Sequence, residues 1–333
     1  MNRLSVFVLA AFTAFGGVSS PLTDDGEVPV EEFSHSSMSP QPLIDGDRIA
    51  IVSPASIIRP QTVHAAIPVL RDQGWEVVTG RNTFNRWGTY AGTDAERLAD
   101  LSEALTDPAV SAVLCSRGGY GVVHILDSLA ALPLEDNQKW VIGFSDISAL
   151  HALLTSRGIP SIHASMTEHI ALGPDDPDNA ALFGILRGEG VSYILEADPR
   201  NRHGHAEGTL VGGNLSVIAG LTGTPYDVLR PGVVLFVEDV NEPVYKLERI
   251  FYNLKLAGIL PRLKGLVVGQ FAKCPPDADF DSVEGMIERM VGEYDYPVAY
   301  GVPVGHVSHN IPLICGAPVV LDVAPDSVRI IQR

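Results

Sequence analysis

The 333 residues carry 40 Asp and Glu against 23 Lys and Arg, a formal net charge of −17, and such a field repels nucleic acid and anionic lipid. A hydrophobic share of 46% with 19% charged residues is that of a folded globular chain, and the length suits two domains. Cys115, Cys274 and Cys315 are far apart with no Cys-x-x-Cys spacing, so neither a disulfide framework nor a zinc site is expected.

Met1, Asn2 and Arg3 precede an apolar run at 4–18 and then Ser19 and Ser20. A short cationic start, an apolar stretch and small residues are the three parts of a secretory signal, and the run is short for a membrane span. Residues 1–20 therefore read as an export leader and 21–44 as a polar, acidic linker. The expectation is a periplasmic protein without stable membrane insertion; the alternative is a cytoplasmic one whose translation starts at Met38.

From Asp45 strand and helix alternate. Residues 48–53 contain a short apolar run, the mark of a buried parallel strand. Residues 60–74 read as a helix, with Pro60 near its start and Gly74 at its stop. Strands follow at 75–78, 112–115 and 140–144. Helices follow at 93–106, where Leu98, Leu101 and Leu105 share a face, and at 147–154. Repeated strand–helix units imply an α/β domain with a parallel, helix-covered sheet at 45–175.

Residues 176–206 belong to a stretch rich in Asp, Pro and Gly and read as an interdomain linker. Residues 207–333 read as a second, smaller α/β domain. It has strands at 233–240 and 266–271, helices at 244–257 and 281–293, a buried-looking run at 297–304, and short β-like runs at 311–331.

Four places can carry chemistry. Gly143, Phe144, Ser145 and Asp146 end a strand just as a helix begins. Such a turn exposes a serine hydroxyl beside free helix N–H groups; equally, Ser145 or Asp146 caps the helix. The run 116–121 (Ser-Arg-Gly-Gly-Tyr-Gly) lets backbone approach a ligand closely, or is simply a tight turn. Glu238, Asp239 and Glu242 put acids at the end of a buried strand, where they need partners or solvent. His306, beside Gly305, follows the run at 297–304, with His309 as its rival. His203 and His205 flank Gly204 in a polar segment with no third metal ligand in view.

In order and spacing these segments resemble the serine LD-carboxypeptidase family, which includes the muramoyltetrapeptide carboxypeptidases. The resemblance covers about 45–328. It is carried by the Ser53–Ser56 run, by Ala91, Gly92, Thr93, Arg97 and Leu98, and by the loop at 117–121. It continues through Ser145 and Asp146, the run 207–215, Glu238 to Glu242 with Tyr245 and Arg249, and Gly305 with His306. One departure stands at 163–166, where His-Ala-Ser-Met replaces a common Gly-Pro-Met.

The resemblance implies Ser145 as nucleophile, Glu238 as the acid and His306 as the base, with the site between two domains and a homodimer as the assembly. It implies a muropeptide substrate, cut between the L-centre of a diamino acid and the terminal D-alanine. No metal or cofactor is called for. The N–H groups of Gly119 and Asp146 would hold the oxyanion, and Arg117 or Asn214 would orient the substrate.

Two other readings stand beside this one. A hydrolase of the same fold that inactivates a microcin C-type antibiotic needs an aromatic ring to stack the nucleobase, and Trp75, Trp87 and Trp140 all fall outside the segment between the domains. A non-catalytic muropeptide-binding protein has no use for all three triad residues.

Overall fold

The computed structural model describes residues 39–332; the expected leader at 1–20 and most of the expected linker lie outside them. Along the first half run β1 (Arg48–Val52), α1 (Pro60–Asp72), β2 (Glu76–Thr79), α2 (Asp94–Thr106), β3 (Ala112–Cys115), α3 (Leu126–Ala130), β4 (Trp140–Gly143), α4 (Ser148–Ser156), β5 (Ser161–His163), α5 (Thr167–Ile170) and α6 (Pro177–Leu186). The second half holds β6 (Val191–Glu196), β7 (Gly204–Asn214), α7 (Leu215–Ala219), β8 (Val234–Val240), α8 (Val244–Leu256), β9 (Gly265–Ala272), α9 (Val283–Val291), β10 (Val298–Ala299), β11 (Leu313–Cys315), β12 (Pro318–Val323) and β13 (Ser327–Gln332). No helix among the described residues is long and apolar enough to cross a membrane.

The first sheet has the order β11-β5-β4-β3-β1-β2. Its β1 to β5 are parallel, and β11 closes the edge antiparallel to β5, with Leu313 opposite His163. The chain leaves β1 in one direction for β2 and in the other for β3, so the order reverses between β1 and β3. At such a point a crevice opens outside the carboxyl ends of the strands. The runs that follow β1, β3 and β4 meet there: Ser53–Ser56, the glycine loop and Ser145. The buried hydroxyls of Ser53 and Ser116 hydrogen-bond across it at 2.6 Å.

The second sheet has the order β10-β9-β8-β7-β12-β13-β6. Residues 204–209 of the long β7 pair antiparallel with β12, whereas 210–214 pair parallel with β8. One continuous core joins the sheets: Val113, Leu150, Val211, Leu235, Phe251 and Met286 belong to a single buried cluster. The helix α4 lies at its centre with eight of its nine residues buried. The helix α2 is fixed at its start by a capping box in which Thr93 accepts from the Glu96 N–H and Glu96 accepts from the Thr93 N–H, worth about 1 kcal/mol.

The α/β reading of the sequence agrees with these two sheets, but two local readings change. Residues 176–206, read as a linker, carry α6 and β6. Leu182, Phe183, Ile185 and Leu186 of α6 pack into the core beneath the first sheet, with Ile49 and Val63. Residues 297–304, read as a buried strand, pair in the sheet over Val298 and Ala299 alone; the rest is irregular chain in which Tyr300, Val302 and Val304 are buried and Gly301 is exposed.

Candidate active site

Ser145 follows β4 directly and opens a 3₁₀ turn, Ser145–Ile147, that runs into α4. Its φ is +66°, a region costing an L-residue roughly 1–3 kcal/mol. The turn is held by what surrounds it. The neighbouring loop comes so close that a Cβ on Gly118 would lie 2.7 Å from Ser145 Cβ and 2.9 Å from its Oγ. Gly118→Ala should therefore push the hydroxyl out of line, lowering kcat roughly 10²-fold while circular dichroism shows an intact fold. Near-normal turnover would show that this close approach does not position the serine.

His306 meets Ser145 from the other half of the chain. Its Nε2 is 3.1 Å from Ser145 Oγ and its Nδ1 is 2.7 Å from Glu238 Oε2. A carboxylate only accepts, so Nδ1 carries the proton and Nε2 is left to accept from the serine. Glu238 is 0% exposed at the end of β8. Burial raises its pKa, opposed chiefly by the hydrogen bond from His306. Here too a glycine is required: Gly305 has φ +125°, and a Cβ on it would stand 2.8 Å from Glu238 Oε2.

The His306 ring rests 4.9 Å from Phe144, and Phe144 lies 5.7 Å from His163. His163 is wholly buried and packs edge-on against Phe236 at 5.1 Å. Burial, with His151 and His306 nearby, holds its pKa well below the ordinary histidine value, so it serves as a neutral spacer. The 163–166 segment thus underlies His306. It also anchors the base's loop: Asn310 Oδ1 accepts from the Gly305 N–H at 2.8 Å, and Asn310 Nδ2 donates to Ser165 at 3.4 Å. His309 faces elsewhere, half exposed, with Nδ1 2.7 Å from Asp178.

The other expected site residues divide. Gly119 lies on the glycine loop against Ser56, and Asp146 occupies the first turn after Ser145, where N–H groups have no helical acceptor. The Asp146 carboxylate is buried and accepts from the Val122 N–H at 3.0 Å, tying the far end of the glycine loop to the serine's own turn. Burial raises its pKa. Arg117 is exposed on the same loop, with Nη1 donating to Ile57 O at 3.2 Å.

Asn214, expected to orient the substrate, is engaged within the fold. It is 5% exposed and caps α7, accepting from the Val217 N–H while its Nδ2 donates to Asp239 Oδ1 at 3.0 Å. Its polar groups are used within the fold.

Asp239 turns away from Glu238. Its carboxylate accepts from Asn214 Nδ2, from the N–H and hydroxyl of Ser216, and from the Val240 N–H. An amide in its place has one acceptor oxygen and presents an NH₂ to groups that donate. Asp239→Asn should therefore cost roughly 1–3 kcal/mol in urea unfolding and leave kcat within a few-fold. If it harmed turnover more than Glu238→Gln, the acid of the site would be the wrong one of the two.

The sequence reading missed the work of Arg97. It is 1% exposed, and its Nη1 donates to Pro54 O at 2.6 Å and Gly121 O at 2.8 Å, clamping the loop after β1 to the glycine loop. The available signal was an arginine on the apolar side of an amphipathic helix. Away from the triad, His169, Asp176 and Asp178 bring possible metal ligands within 4.8 Å of one another. Asp176 Oδ1 already accepts from His169 Nε2 and from the Asp178 and Asn179 N–H groups as the cap of α6.

Two family models match the chain in succession: the LD-carboxypeptidase N-terminal domain over 49–164 and the LD-carboxypeptidase C-terminal domain over 207–321. The murein tetrapeptide carboxypeptidase of Pseudomonas aeruginosa is 34% identical over 281 residues, covering 80% of this chain and 90% of that protein. The crystal structure of muramoyltetrapeptide carboxypeptidase from Oxalobacter formigenes superposes with a TM-score of 0.76 at 29% identity, over 86% of this chain and 98% of that one. A microcin C7 self immunity protein, in complex with aspartyl sulfamoyl adenosine, shares the fold at a TM-score of 0.74 and 20% identity, over 89% of this chain and 99% of that one. The chain belongs to the LD-carboxypeptidase family of peptidases.

Proposed function

We propose that this protein is a serine carboxypeptidase that releases the terminal D-alanine from the tetrapeptide arm of a muropeptide, cutting at the L-centre of the diamino acid. The observation that carries the reading is the line from Ser145 Oγ through His306 to the buried Glu238, 3.1 and 2.7 Å in its two steps. In this mechanism His306 Nε2 takes the serine proton as Oγ attacks the amide carbonyl, then gives it to the departing amine of D-alanine. Glu238 fixes the tautomer and faces the imidazolium as it forms. The N–H groups of Asp146 and Gly119 receive the oxyanion, and water then frees the acyl-enzyme by the same relay. Arg117, an exposed cation on the glycine loop that abuts Ser145, is suited to the terminal carboxylate. No metal or cofactor enters these steps.

The leader-like run at 4–18 supports export, with a cytoplasmic protein starting at Met38 as the alternative, and the family resemblance supports a homodimer; N-terminal sequencing of protein isolated from cells and light scattering would check them. The central test is to incubate the enzyme with a muropeptide tetrapeptide and, separately, with aspartyl sulfamoyl adenosine. Release of D-alanine and a tripeptide is expected from the first. Hydrolysis of the second alone would replace this reading with an antibiotic-inactivating one.

A further inference from the structure

Three loops lie together beside Ser145. Trp87 and Tyr90 bridge within residues 86–90, and Tyr90 bridges back to Ser56. Ser56 Oγ accepts from the Tyr120 N–H at 3.2 Å, two residues beyond the Gly118 that abuts the serine. Their rings form one row. Trp87 stacks on Tyr90 at 5.8 Å with 27° between planes, and Tyr90 lies 6.1 Å from Tyr120. His124 stands edge-on to both tyrosines, at 5.3 and 5.2 Å. The buried Arg97 guanidinium braces the row, 5.2 Å from the Tyr90 ring centre. Yet Trp87 and Tyr120 are 56% and 54% exposed. Large apolar rings held fast and left in water next to a reactive serine are prepared for a ligand, because the cost of ordering them is already met.

We infer that this row is a subsite for a pyranose ring of the glycan bearing the peptide arm, so that the enzyme prefers a glycan-linked tetrapeptide to the free one. The inference rests on the carboxypeptidase reading above. A pyranose offers a flat face of C–H groups, slightly positive, to the negative face of an aromatic ring, and needs no ionic partner. That suits a chain of net charge −17, whose field disfavours the phosphates that accompany a nucleobase. The reach also agrees. Three residues separate the scissile bond from the sugar, about 10 Å of extended chain at roughly 3.3–3.6 Å each. The row starts on the loop that touches Ser145 and runs from Tyr120 to Tyr90 to Trp87 in steps of 6.1 and 5.8 Å, a span of the same order.

The test compares kcat/KM for the disaccharide-linked tetrapeptide with kcat/KM for the free tetrapeptide. Wild type should favour the linked substrate. In Trp87→Ala the ratio should fall roughly five- to tenfold, carried by KM, as expected for one lost stacking contact, and Trp87→Phe should restore most of it. An unchanged ratio in Trp87→Ala overturns the inference. An unchanged ratio together with a shift from dimer to monomer on a sizing column assigns the row to a second copy instead. Loss in Trp87→Ala of hydrolysis of aspartyl sulfamoyl adenosine, with the peptide ratio unmoved, assigns it to a nucleobase. If wild type cleaves neither peptide, the carboxypeptidase reading fails, and the subsite falls with it.

Discussion

Ser145→Ala should yield a folded protein that still binds muropeptide and releases D-alanine at least roughly four orders of magnitude more slowly than wild type. The hydroxyl is the only group removed, and neither the position of Glu238 nor the cap of α7 depends on it. A second substitution separates chemistry from stability. At φ +66° a glycine sits without the penalty an L-residue incurs, so Ser145→Gly should unfold at higher urea by about 1 kcal/mol while being equally inactive. Activity within about tenfold of wild type in either variant would remove Ser145 as the nucleophile.

The second large effect is expected at the other two members of the relay. His306→Ala should lose turnover at every pH, because His306 Nε2 is the ring nitrogen hydrogen-bonded to Ser145 Oγ among the described residues. His309→Ala should keep near-normal kcat and the acidic limb of the wild-type profile, since its ring is held on Asp178. The base takes the serine proton in the first step and returns it to the leaving amine, so losing its ring removes the step itself. The assignment fails if the two histidine variants exchange these behaviours.

Glu238→Gln should lower kcat by roughly two to four orders of magnitude, the size associated with a triad acid. Its stability should move the opposite way. Burial raises the carboxyl pKa in the folded state, so the folded chain holds that proton more tightly than the unfolded chain does. Ionisation is then a cost to folding, absent below the unfolded-state carboxyl pKa and complete above the folded-state one. Glutamine removes that cost, and Glu238→Gln should be no less stable than wild type at neutral pH by urea unfolding. A clear loss of stability there would mean that the hydrogen bond from His306 to the carboxylate outweighs the burial.

Legibility in the sequence followed the range of the interaction. The strands at 48–53 and 112–115 and the helix at 93–106 were readable because their apolar spacing and caps are local. Ser145, Glu238 and His306 were readable as a set only through resemblance, since 161 residues separate the serine from the histidine. What failed was set by partners distant in sequence. Residues 176–206 look like a linker until α6 meets the underside of β1. The hydrogen bond between Asn214 and Asp239 joins residues 25 apart and leaves no mark in local composition. Trp87 looks remote until Tyr90 bridges to Ser56 and brings it beside the nucleophile's loop. Local composition records neither a long-range pairing nor the identity of whatever fills a hydrogen bond.

The strand β11 gives the molecule an order of assembly. It joins the first sheet opposite residues 161–163, some 150 positions earlier in the chain, and a contact of such long range closes late. His306 lies just ahead of it. The docking of β11 against residues 161–163 is what carries His306, on the segment just before it, to within 3.1 Å of Ser145, so the edge of the first sheet is also the arm that assembles the site.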